Sequence, residues 1–270
     1  MRDYAGFLRG QIRARAEVIA SANPGLSFTS RGVPPTVLFR RASDGRAHPN
    51  FHREVWAAVS ADQSWAWRLA KPHSHKLALP EEFQAATMEL DSSNSSDALL
   101  MNVFCYPGAV ERISTVLGNT PNSARPDFGY APKIALVDGT VDTTEVDMLL
   151  GDTLVEAKLT ESDFTTRPKP HVFRYKALSS VFDVHILPGD EASFSGYQLI
   201  RNVLAADQLN ARLVVLMDFR RPDLLQEWWT VHAAIHSGPL RARCRVVFWQ
   251  QLAECCGQEH RRFLEDKYGV

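Results

Sequence analysis

The alternation of apolar and polar positions is sharpest between Thr143 and Asp163, TTEVDMLLGDTLVEAKLTESD. There two runs rich in apolar and β-branched residues flank Gly151-Asp152. Glycine in the first position of such a pair suits a tight II′ turn, so the stretch predicts a β-hairpin. Counting outward from the turn sets the register: Leu150 faces Thr153, Leu149 faces Leu154, Met148 faces Val155, and Asp147 faces Glu156. A four-residue loop centred on the same pair gives the same pairing. The period of two then puts Val146, Met148, Leu150, Val155, Ala157 and Leu159 on one apolar face. Glu145, Asp147, Glu156 and Lys158 fall on the other.

The rest of the chain predicts helices around this hairpin, with a few strands. Residues 3–22 read as a helix. Residues 24–50, rich in Pro, Gly and Arg, read as lacking long regular elements. Phe51 to Ala70 reads as a helix whose Trp56, Trp65 and Trp67 pack in a core. Ser92 to Phe104, SSNSSDALLMNVF, carries cap signals before an apolar run and predicts a buried helix. Lys133 to Val137 predicts a short strand closed by the turn Asp138-Gly139. Tyr197 to Gln208 is amphipathic: Leu199, Ile200, Val203 and Leu204 share one face, and Gln198, Arg201 and Asn202 the other. Arg212 to Met217, RLVVLM, is continuously apolar, as a central strand requires. A helix over Pro222–His236, a strand over Arg245–Trp249 and a C-terminal helix to Lys267 follow.

With 270 residues, 45% of them apolar, the chain can bury a sizeable core. No apolar run is long enough to span a membrane, and the N-terminal stretch has no apolar signal core, so a cytoplasmic location is expected. Cys105, Cys244, Cys255 and Cys256 show neither CxxC nor disulfide-framework spacing, which predicts reduced thiols. A net charge of −1 means that nucleic-acid binding must come from local patches. Two stretches qualify. Arg31, Arg40, Arg41, Arg46, His48, His52 and Arg53 form either a basic arm or a solvated connector. Phe164 to Gly189 has Arg167, Lys169, His171, Arg174 and Lys176, with no acidic residue through Phe182. It leaves directly from the strand that carries Lys158, which suits it to grip a DNA backbone. His73 and His75 form an H-x-H pair without an evident third ligand. His232 and His236 lie one helical turn apart, but the Glu of a zincin is missing between them.

Chemistry concentrates on the polar face of the hairpin. Carboxylates directly opposite each other, with Cβ atoms about 4.5–5.5 Å apart, repel. A divalent cation shared by Asp147 and Glu156 removes that penalty, and hard oxygen ligands suit Mg²⁺. Lys158 could then hold or polarise an attacking water or a phosphate.

These residues resemble the signature of the PD-(D/E)XK nuclease superfamily, the restriction-endonuclease-like fold, in which an acid on one strand is followed on the next by E-x-K, here Glu156-Ala157-Lys158. The sequence departs from that pattern at Val146, which stands where Pro would precede Asp147. A literal Pro126-Asp127 lies earlier, in a stretch read as a Gly/Pro-rich loop. Asp147 is therefore preferred, with Asp127 as the alternative acid. The S-S-x-A-L…N-x-F, E-A-K-L-T-E and Y-Q-L-x-R-N segments also resemble a bacterial restriction-like branch.

The resemblance implies an α/β fold with a mixed sheet, an αβββαβ core over roughly residues 88–220. It sets a helical, basic extension over 1–87 against a nuclease-like domain over 88–270, or else one continuous domain. It implies a deoxyribonuclease, restriction- or repair-like, dependent on Mg²⁺ or Mn²⁺, with DNA as partner, no membrane, and room for a homodimer. Asp147, Glu156 and the Ala157 carbonyl would hold metal, and Lys158 would activate water. Gln198 would reach the site from its helix, although Asn202 replaces the Tyr of the family's Q-x-x-x-Y. Asp97 would either lend the site an acid or favour its own helix N-terminus. The alternative is a catalytically inactive nucleic-acid-binding protein of the same fold.

Overall fold

A computed structural model describes residues 3–23, 25, 27–29, 35–41, 46–73, 81, 87–118 and 124–270. The readings of Arg31 and His75 lie outside them. The chain divides into two compact units, Met1–Ser123 with Trp249–Val270, and Ala124–Phe248. The helix expected to open the core, Ser96–Phe104, and the C-terminal helix, Gln258–Tyr268, both belong to the first unit. Among the described residues no helix is long and apolar enough to cross a membrane.

In the first unit, Asp3 caps the helix Tyr4–Ala22 by accepting from the Gly6 N–H at 2.7 Å. Its buried Ala5, Leu8, Ile12 and Ala16 recur at the spacing of one helical face. The single helix expected over residues 51–70 is three pieces: Arg53–Ala61, Gln63–Ala66 and a 3₁₀ turn Trp67–Ala70. Asp62 makes the break, because its side chain accepts from the Ser64 N–H and starts a new helix. Trp67 is 47% exposed, so the aromatic run is only partly core. Nor is the basic stretch before it simply a solvated arm. His48 and His52 are buried, and His48 stacks on Trp56 with ring centroids 5.7 Å apart. Ser96–Phe104 is the buried helix its pattern predicts, capped by Ser95.

The second unit is built on a five-stranded mixed sheet. Its strands are β1 (Pro126–Tyr130), β2 (Val146–Leu150), β3 (Thr153–Ala157), β4 (Arg212–Met217) and β5 (Cys244–Phe248), in spatial order β5-β4-β3-β2-β1. β1, β2 and β3 form an antiparallel meander; β4 and β5 run parallel to β3. The β2–β3 register is the one obtained by counting: Leu150 with Thr153, Leu149 with Leu154, Met148 with Val155. Gly151 has φ +61° and Asp152 is not among the residues with positive φ, which is the II′ combination. β4 is buried along most of its length, as its unbroken apolar run requires. The helix Tyr197–Gln208 links β3 to β4 and packs on both.

Two strand readings are corrected. Lys133–Val137 does not enter the main sheet. Only Ile134–Ala135 is strand, paired with Val141–Asp142 in a separate ribbon, and Val137 is 65% exposed. The Asp138-Gly139 turn sends this run back on itself, and its other side is met by residues 174–176 through the Leu136–Tyr175 bridge. Its place in the sheet is taken by Pro126–Tyr130, so Asp127 lies on a strand rather than in a loop. Pro126 is tolerated there because β1 is an edge.

Candidate active site

The end of the β2–β3 hairpin gathers the charged residues. Registered pairing stops at Met148–Val155, one step short of Asp147 and Glu156. The Ala157 N–H donates to Asp147 Oδ2 at 2.7 Å, so a side chain supplies the acceptor where the registered ladder ends. Asp147 is half-buried, and Glu156 is 1% exposed. The face that bears them is therefore interior, closed over by the helix Tyr197–Gln208. Lys158, on the same side two residues on, is buried too, and its Nζ lies 2.8 Å from Glu156 Oε1.

Asn202 completes the shell around Glu156. It is fully buried and donates through Nδ2 to Glu156 Oε2 at 2.7 Å. Its own Oδ1 accepts from Arg201 Nε at 3.2 Å and Nη2 at 3.0 Å, and Arg201 Nη2 also donates to the Glu145 carbonyl at 2.8 Å. A chain of contacts thus runs from Arg201 through Asn202 to the carboxylate. Leaving that carboxylate without donors would carry the full cost of a buried charge. On the far side, Arg221 is wholly buried and donates to the carbonyls of Leu159 and Ser162, each at 3.2 Å. It holds the chain just beyond Lys158.

The charges answer one another. Burial by itself would raise the Glu156 carboxyl, but the Lys158 ammonium, with Arg201 beyond it, holds it below the usual carboxylate range. Burial would likewise lower Lys158, and it is overcome by Glu156, Glu161 and Asp147, which push it above the usual lysine range. A lysine held in this state is an ammonium: it donates hydrogen bonds and positive charge, and it does not take a proton from water.

Whether a metal fits can be judged from the donor set. Glu156 Oε1 is closed off from solvent, and among the described residues its close partner is the Lys158 ammonium. A buried carboxylate oxygen, with a second carboxylate on the adjoining strand, suits a hard divalent cation. No group of three or more His, Cys, Asp or Glu is placed to hold a metal among the described residues. A metal here would rest on two carboxylates, backbone oxygen and water, a set Mg²⁺ accepts and Zn²⁺ does not favour.

Other residues singled out in the sequence fall elsewhere. Gln198 is half-buried and lines a neighbouring cleft; Asn202, one turn further along the helix, is the residue bonded to Glu156. The clue to Asn202 was its place with Gln198 and Arg201 on the polar face of a helix that must pack on a sheet. Asp127 is exposed and paired with Leu149, one pleat from Asp147. Asp97 lies in the first unit, where Arg68 Nη2 at 3.0 Å and Lys71 Nζ at 3.1 Å hold its carboxylate. Arg167, Arg174 and Lys176 are exposed and Lys169 half-exposed, Lys169 lying over the Phe194 ring.

A family model described as restriction endonuclease associating with ARP matches residues 42–269. The chain belongs to this family. The match spans the E-A-K strand, the helix carrying Asn202 and the basic insertion. No curated protein and no solved structure matches the chain. Membership makes this a restriction-endonuclease-like protein, a family whose name points to DNA as substrate.

Proposed function

We propose that this member of the family is a metal-dependent deoxyribonuclease of the PD-(D/E)XK kind, acting on DNA phosphodiester bonds in a restriction- or repair-like role. The observation that carries the reading is the buried Glu156–Lys158 pair at 2.8 Å on the strand next to Asp147. An antiparallel three-strand meander followed by a helix and a parallel strand supports the restriction-endonuclease-like core. Asp147 and Glu156 would hold Mg²⁺ or Mn²⁺, with the Ala157 carbonyl as a further oxygen. When bound, the metal would polarise the phosphate and lower the pKa of its water.

The chain's own groups have separate parts. Lys158, kept as an ammonium, orients the attacking water or stabilises charge growing on the phosphate oxygens. Asn202 aims Glu156, and Arg201 aims Asn202. Arg167, Lys169, Arg174 and Lys176 offer the DNA backbone cations that no local carboxylate neutralises strongly. Gln198 faces this approach rather than Glu156.

The test is cleavage of circular, linear and single-stranded DNA by purified protein with Mg²⁺ or Mn²⁺, against the same protein in excess chelator. Cleavage abolished by chelator is the expected result, and full activity in chelator ends the mechanism. No cleavage under any condition, with DNA binding intact, would favour the catalytically inactive DNA-binding reading instead. Replacing the four insertion cations together should flatten the salt dependence of DNA binding, by about 0.9 in slope for each phosphate no longer neutralised.

A further inference from the structure

The second unit also contains a cleft of about 450 Å³ that shares Arg201 with the shell around Glu156. That volume is within the range of pockets that hold small ligands. Three guanidiniums line it, Arg167, Arg174 and Arg201, against one carboxylate, Asp142. Asp142 is already engaged: it accepts from the Thr144 N–H at 2.8 Å, from the Thr144 hydroxyl and from the Tyr175 hydroxyl. The cleft therefore carries an excess of positive charge.

Arg201 makes the case for an anion strongest. It is 3% exposed, and no carboxylate lies within ion-pair distance of it among the described residues. Its hydrogen bonds there go to the Glu145 carbonyl and the Asn202 amide oxygen, and Nη1 makes none. Guanidiniums this deeply buried are normally paired with an anion, and here Asp142 and Glu156 act on Arg201 only from beyond ion-pair distance. At the rim, Arg167 lies over the Tyr197 ring at 5.7 Å and makes no ion pair among the described residues. Arg174 meets Asp138 only at 4.0 Å with both side chains about half exposed, a pairing worth little.

The wall between them is already ordered. Hydrogen bonds link Asp142 to Tyr175, Tyr175 to Tyr197 at 2.8 Å, and Tyr197 to His171 at 3.2 Å. Fixed hydroxyls and an oriented imidazole make a polar surface that suits a sugar or base edge. Thr165, also on the wall, has φ +62°, a conformation a β-branched residue rarely adopts, and its hydroxyl has no partner among the described residues. Strain of this kind persists where a binding surface requires it.

We propose that the cleft binds one nucleotide, its phosphate held by Arg167 and Arg174 at the rim and Arg201 at the floor. This goes beyond a general basic surface, because it separates the cations of the insertion into two classes. Arg167 and Arg174 line the cleft; Lys169 and Lys176 do not. A free nucleotide and a nucleotide within a strand present the same chemistry.

The experiment is calorimetric titration in excess chelator, which removes metal chemistry from the result. The probes are deoxyadenosine 5′-monophosphate, inorganic phosphate and a 5′-phosphorylated trideoxynucleotide. The proteins are wild type, the pair Arg167→Gln/Arg174→Gln and the pair Lys169→Gln/Lys176→Gln. The expected result is saturable one-to-one binding of the nucleotide by wild type in chelator. The arginine pair should weaken it by about tenfold or more, the scale of removing a charge-assisted hydrogen bond. The lysine pair should stay within about twofold of wild type. Tighter binding of the trinucleotide assigns the cleft to a strand, and equal or weaker binding to a free nucleotide. Absence of nucleotide binding, equal weakening in both pairs, or inorganic phosphate binding as well as the nucleotide would each overturn the proposal. Since every titration is run in chelator, these outcomes do not depend on whether the protein cleaves DNA.

Discussion

Each unit buries a carboxylate against a lysine, and the two sites are balanced differently. In the first unit Asp97 is met by two cations, Arg68 and Lys71, at 3.0 and 3.1 Å. In the second, Glu156 has one cation, Lys158, and one neutral amide, Asn202, with Asp147 on the neighbouring strand and Glu161 adding its field to the lysine. The first site is left positive, one carboxylate against two cations. The second is left negative, and its Glu156 oxygen is closed off from solvent. A buried acid on its own says little about function; the charge left after its neighbours are counted says more. A third group extends the series. Lys267 is fully buried with no anion beside it among the described residues, over the Phe39 ring at 4.8 Å and 3.5 Å from the Ser93 carbonyl.

The contrast can be broken by substitution. Asp97→Asn should have the largest effect on stability. It takes a buried carboxylate away from Arg68 and Lys71, at a cost of up to about 3–5 kcal/mol, while cleavage per folded molecule stays near wild type. Denaturant unfolding with parallel DNA-cleavage assays reads both, and a folded but inactive Asp97→Asn would move Asp97 into the site. Glu156→Ala or Lys158→Ala should instead reduce cleavage by about a hundredfold or more, the scale of losing a transition-state stabiliser. In the same assay Asp127→Ala should do much less than Asp147→Ala; the opposite ranking would make Asp127 the first acid.

Smaller shifts sharpen the comparison. Mg²⁺ or Mn²⁺ that binds only the folded chain should stabilise it by about 2.7 kcal/mol at a hundred times its dissociation constant. Asp147→Asn keeps an oxygen for the Ala157 N–H but removes a charge. Its metal-free form should melt slightly below wild type, since the Asp147 charge favours the Lys158 ammonium, and most of the metal-induced rise should vanish. Thermal melts with chelator and with millimolar metal decide this, and an equal rise in both proteins removes Asp147 from the site. Lys267 gives the smallest and most pH-dependent effect. Burial lowers its pKa to about 7, below the value in an unfolded chain. The folded state thus loses that proton more readily, the penalty is full below pH 7, and stability should rise between about pH 7 and 10. Lys267→Met should raise the melting temperature most at neutral or lower pH and least near pH 10. A pH-independent gain would mean that packing rather than charge is responsible.

The hairpin was legible because its pattern is local: a glycine-led turn and strict alternation set the register and the polar face. The apolar runs of β4 and the Ser96–Phe104 helix were legible for the same reason. What the alternation could not report was whether the polar face met water or a helix, since that depends on where Tyr197–Gln208 lands. Asn202 therefore read as a substitute for a missing Tyr, when its amide is bonded to Glu156. The edge strand was missed because Pro126 and Gly129 argue against a strand, and only the neighbouring β2 makes one of it. Arg221 gave no local signal at all, because both carbonyls it holds lie about sixty residues earlier.

That edge strand has a consequence for self-association. Pro126 has no N–H to offer an incoming chain, Asp127 presents an exposed charge, and Gly129, at φ +69°, departs from extended geometry. A sheet bordered in this way resists lengthening by strand addition. On that side the molecule is protected against runaway polymerisation, and two copies that pair there must do so through side chains rather than a continuous backbone ladder.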